Sequence, residues 1–100
     1  HERLRRVAPQ AFVYAQRPHV RSVVVSDAEA VDACWRFADE ERMLVEPACG
    51  ASLAVIYAGK LKELMPELTP EDRLVIIVCG GVNVSVEALI EYRRQFGDKI

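Results

Sequence analysis

The segment Leu74-Val75-Ile76-Ile77-Val78-Cys79-Gly80-Gly81-Val82-Asn83 holds the residues of this chain best placed to do chemistry. Six apolar residues without alternation suit a strand covered on both faces of a parallel sheet. The glycine pair ends that strand, and ligands of open α/β sheets bind beyond the carboxyl ends of strands. Glycines remove side chains, so a flat ligand can lie against the backbone. Cys79 is then the last side chain of the strand, with Asn83 close behind. A Gly-Gly pair after a strand is by itself most often only a tight turn. It is neither GxGxxG nor a P-loop, so no dinucleotide or Walker-type nucleotide site is implied.

Other groupings carry less. Cys79 as a nucleophile needs a base within hydrogen-bond reach, and both histidines, His1 and His19, lie near the N-terminus. Glu29 and Glu46 have no spacing that makes them a carboxylate pair. His19 follows Pro18 in an expected loop and reads as a surface residue. Cys34, Cys49 and Cys79 are odd in number and widely spaced, which is not a disulfide framework. With no CxxC, they are not a zinc pattern, and no metal site is assigned. The plain expectation is buried thiols packing as small hydrophobes.

The elements that position the glycine turn alternate between helix and strand. Val7 to Gln16 suits a short helix with Pro9 near its start, and Arg17-Pro18-His19 ends it. Val20 to Val25, with four valines, suits a strand. Ser26-Asp27-Ala28-Glu29 reads as a capping box. The helix behind it carries Ala30, Val31, Cys34, Trp35 and Ala38 on one face and should end near Arg42. Asp32, Arg36, Asp39, Glu40 and Glu41 form a solvated face. After the short apolar run Met43-Leu44-Val45, a second helix starts within Glu46–Ala51 and is expected to run to about Leu64. Its first two turns are nearly free of charge, which predicts burial on all sides. Gly50, Ala51, Ser52, Ala54 and Ala58 permit close approach by another backbone or a ligand. Thr69-Pro70-Glu71-Asp72 suits one capped turn. Asn83 or Ser85 can cap a last helix over Val86 to Phe96, stopped by Gly97. The reading is α/β with few strands.

Composition narrows the function classes. The chain has 100 residues, enough for one small domain, and 51% of them are apolar. A net charge of −2 argues against a general nucleic-acid binder. No run of about 18 apolar residues exists to span a membrane. The basic start His1-Glu2-Arg3-Leu4-Arg5-Arg6 has no apolar signal core behind it, so the expected compartment is the cytoplasm.

Two blocks point further. Leu44-Val45-Glu46-Pro47-Ala48-Cys49-Gly50-Ala51 and Leu74 to Val84 resemble the serine dehydratase type of fold-type-II enzymes dependent on pyridoxal 5'-phosphate (PLP). The resemblance extends upstream through Val25 to Val31 and Asp39 to Met43. It implies a segment of the tryptophan synthase β-like large domain, with parallel strands and flanking helices. Residues 1–100 would then be a C-terminal segment of the PLP-binding catalytic domain and not a complete enzyme. It implies that Cys79 approaches the pyridine nitrogen, that Gly80 and Gly81 line the cofactor with Asn83 nearby, and that the 46–51 segment rises beneath the site. The implied reaction is loss of water from L-serine or L-threonine, giving pyruvate or 2-oxobutyrate and ammonia. The Schiff-base lysine, the phosphate loop and the substrate-carboxylate loop of such enzymes precede this segment, and nothing here matches them. Lys60, Lys62 and Lys99 are expected on exposed helix surface or at the terminus, so no catalytic residue is assigned. Members of that type often hold a monovalent cation, K+, near the phosphate, and no ligand for it is assigned either. The resemblance implies a homodimer when full-length, acting on a small amino acid. The alternative is a catalytically dead, dehydratase-derived binding or assembly module.

Overall fold

A computed structural model describes residues 7–97. The basic start His1–Arg6 and Lys99 lie outside the described residues. Five helices follow in order: α1 Pro9–Ala15, α2 Asp27–Glu41, α3 Pro47–Tyr57, α4 Leu61–Leu64 and α5 Val86–Phe96.

The ends of these helices follow local chemistry. Ser26 caps α2: its hydroxyl accepts from the Glu29 amide at 3.0 Å, and the Glu29 carboxylate accepts from the Ser26 amide at 2.9 Å. Arg42 closes α2 in a left-handed conformation, φ 59°. Ser85 caps α5 by accepting from the Ala88 amide at 3.0 Å, and Gly97 follows its last turn. Pro9 and Pro47 stand at the first turns of α1 and α3, where a missing N–H costs nothing. Thr69 and Asp72 form the expected turn, with the Asp72 carboxylate accepting from the Thr69 amide at 2.7 Å.

The expected single helix from Glu46–Ala51 to Leu64 is two. It breaks after Tyr57, where Gly59 takes φ +70° and α4 begins anew at Leu61. An L-residue is disfavoured at that angle, so Gly59 provides the break. Burial of α3 is one-sided rather than complete. Leu53 and Ala54 are buried, while Ser52 and Ile56 are exposed.

The core lies between α2 and α3 and is closed by α5. Ala33 and Cys34 of α2, Cys49, Leu53 and Ala54 of α3, Val45 and Leu89 make one cluster. Gly50 sets the α2–α3 separation. A β-carbon there would overlap the carbonyl oxygen of Ala30 and stand 2.6 Å from Sγ of Cys34. Trp35 joins α2 to α5: its indole N–H donates to the Leu89 carbonyl at 3.1 Å, and the Arg93 guanidinium lies 4.6 Å from its ring centroid.

The expected parallel strands, Val20–Val25 and Leu74–Cys79, form no β-ladder among the described residues. Nor is the second segment covered on both faces. Ile76 packs on the core, but Val75 is 77% and Ile77 68% exposed. A strand is held by neighbours on both edges and cover on both faces. Here the Glu46 amide donates to the Gly80 carbonyl at 3.0 Å. One such bond sets a contact but no ladder.

Candidate functional site

The candidate site is the turn that follows Cys79, and two elements define it. The apolar segment 74–79 brings the chain alongside α3, held by Ile76 in the core. The start of α3 meets it through the bond from the Glu46 amide to the Gly80 carbonyl. Below, the Glu46 carbonyl accepts from the amides of Cys49 and Gly50 at 2.9 and 3.0 Å, which ties the contact to the first turn of α3.

Gly80 and Gly81 are both required by their backbone, at φ +87° and +124°. They differ in surroundings. A β-carbon on Gly80 would meet nothing within 4 Å, so one side of the turn is open. A β-carbon on Gly81 would overlap Cγ of Glu46 and stand 2.6 Å from both Cδ and Oε2. The Glu46 side chain therefore lies against the second glycine. Cys79 and Asn83 are exposed on either side of the pair. The thiol of Cys79 was expected to be buried as the end of a covered strand; with that cover lacking among the described residues, it is open. All four residues named from the sequence, Cys79, Gly80, Gly81 and Asn83, thus fall in one short stretch beside the start of α3. The resemblance implied that the 46–51 segment lies beneath the site, but residue spacing did not name the contact of Glu46 with Gly81. Glu46 has no spacing partner along the chain, and only the fold brings it to Gly81.

The other two thiols behave differently. Cys34 and Cys49 are buried in the α2–α3 core. Burial pushes the Cys34 thiol up to about 11, with the nearby Cys49 and Glu46 adding to the effect. These two are packing groups. Lys60 is not a free surface lysine: its ammonium pairs with the Glu29 carboxylate at 3.2 Å, both side chains partly buried. Hydrogen bonding from the Ser26 amide, then Lys60, holds the Glu29 carboxyl below its ordinary value. His19 is exposed and lines an open groove of about 480 Å³, together with residues of the 74–77 segment and Ala51, Ser52 and Val55 of α3.

Known proteins resemble this chain in sequence and in fold. The chain is 48% identical over 95 residues to a Bos taurus L-serine dehydratase/L-threonine deaminase, covering 91% of this chain and 29% of that protein. It is 51% identical over 92 residues to a Rattus norvegicus serine dehydratase-like protein, covering 89% and 28%. The crystal structure of a fungal L-serine ammonia-lyase from Rhizomucor miehei superposes with a TM-score of 0.83 at 34% identity, over 90% of this chain and 29% of that one. The chain thus spans under a third of the length of the relatives it matches. The family model described as pyridoxal-phosphate dependent enzyme matches residues 2–80, and the chain belongs to that family.

Proposed function

We propose that this chain is a C-terminal segment of the catalytic domain of a PLP-dependent L-serine/L-threonine dehydratase. The reaction is loss of water from the amino acid, giving pyruvate or 2-oxobutyrate and ammonia. The observation that carries the reading is the turn itself. Two glycines with positive φ stand between an open thiol and an exposed amide, with free space beside Gly80. That is the shape a flat heteroaromatic ring requires of a wall. The relatives named L-serine dehydratase/L-threonine deaminase supply the substrate class.

Bound PLP would withdraw electrons from the substrate as its α-proton leaves. This chain's part is to seat and orient. Gly80 and Gly81 allow the backbone to approach the ring without a side chain between. Cys79 would face the pyridine nitrogen, and a thiol there does not enforce ring protonation as a carboxylate would. Asn83 offers amide donors and an acceptor at the margin of the ring. The lysine and phosphate anchors belong to other segments of the full-length protein in this reading. So does a K+ site, and the reading carries a cytoplasmic homodimer with it.

The test is made on the native protein at its full natural length. It should take up PLP and release pyruvate from L-serine. Cys79→Ser should keep substantial activity, because a hydroxyl makes the same contact. Cys79→Asp should bind PLP but divert turnover toward transamination, and Cys79→Ala should retain cofactor less well. A Cys79→Ser enzyme with no turnover would mean covalent chemistry at this thiol. Three variants all indistinguishable from the parent would remove Cys79 from the site.

A further inference from the structure

Glu46 occupies the cap position of α3, where an acceptor side chain normally takes the first free amides of the helix, yet its carboxylate makes no cap bond. It leans instead across Gly81, close enough that a β-carbon on that glycine would push the Glu46 side chain aside. The residue is half-buried. Among the described residues its carboxylate has neither a hydrogen-bond donor nor a cation within ion-pair distance. A helix start that could have satisfied the group does not. The backbone of the same residue also meets the turn, its amide donating to the Gly80 carbonyl at 3.0 Å.

We propose that Glu46 is a positioning residue of the cofactor site. Its carboxylate holds the Gly80–Gly81 turn against the start of α3 and sets a negative charge in the wall that faces the ring. The inference rests on the functional reading above and deepens it. An anion behind the glycine pair favours an electron-poor ring in front of it. It supplies a charge that the thiol of Cys79 does not.

The test separates charge from packing. Glu46→Gln keeps the size and shape of the side chain and removes the charge. In the native full-length protein, it should leave the melting temperature of the cofactor-free form unchanged. It should weaken PLP binding about tenfold, the scale of one charge-assisted contact, and displace the visible absorption band of the bound cofactor. Glu46→Asp, which keeps the charge on a shorter arm, should restore the band while recovering only part of the affinity. Unchanged affinity and an unmoved band in Glu46→Gln would overturn the proposal. So would a loss of cofactor that appears only alongside a lowered melting temperature, since packing alone then explains it. If the unsubstituted protein takes up no PLP, the functional reading itself has failed, which is a distinct result.

Discussion

Gly50→Ala is the substitution whose sign the structure decides. Alanine is favoured over glycine inside a helix by ~1 kcal/mol, and Gly50 lies in α3 at an ordinary helical angle. On helix propensity alone, the change should stabilise the protein. The packing says the reverse. The new methyl would overlap the Ala30 carbonyl oxygen and stand 2.6 Å from Sγ of Cys34. A thiol can rotate away, but a helical carbonyl cannot, so α2 and α3 must separate. Forcing an added carbon into a packed core costs about 1–3 kcal/mol, and backbone contact places this site at the upper end. After the propensity gain, a net loss of ~1–2 kcal/mol remains. Urea unfolding of the native protein with and without the substitution measures it. Adding Cys34→Ala should recover only part of the loss, because the Ala30 oxygen stays. An unchanged or raised unfolding midpoint for Gly50→Ala would mean the helices are not in the contact described.

Ala54 is fully buried, so Ala54→Asp should cost several kcal/mol through an unpaired buried charge; normal thermal stability would refute the burial of this face of α3. Ser26→Ala should cost about 1 kcal/mol by opening the capping box of α2, measurable as a lowered melting temperature. Cys34 has a folded-state pKa raised from 9.0 to about 11, so its contribution is full below pH 9 and is lost as pH rises through 11. The loss is on the order of 2–3 kcal/mol, and Cys34→Ala should flatten the alkaline arm of a stability–pH curve by that amount. Glu29 has a lowered pKa, so its contribution is present above the ordinary carboxylate range and fades as pH falls through the depressed value; Glu29→Gln should remove that acid-side slope from the same curve.

The parts of this fold legible in the sequence are those fixed by neighbours along the chain. Ser26 and Glu29 stand three residues apart, and a capping box needs nothing else. Ser85, Pro47 and the Thr69–Asp72 turn are likewise local. Gly59 was equally local, but a single glycine inside a helical pattern is tolerated and does not by itself mark a break. The strands were a different kind of inference. An unalternating run such as Leu74–Cys79 reports that both faces are to be covered, and says nothing of what covers them. Val75 and Ile77 keep that signal while standing exposed among the described residues. The matched relatives are more than three times as long as the part that corresponds to this chain. The turn could be named as a candidate because it too is local: glycines, thiol and amide lie within five residues. Its contact with Glu46 could not be read from spacing, because it spans the whole of α3, α4 and the 74–79 segment. A sequence shows which residues can do chemistry at a turn; which distant side chain stands behind that turn is decided by helix packing. Here that packing includes the contact at Gly50, which lets α3, and with it the cap residue Glu46, lie close against α2.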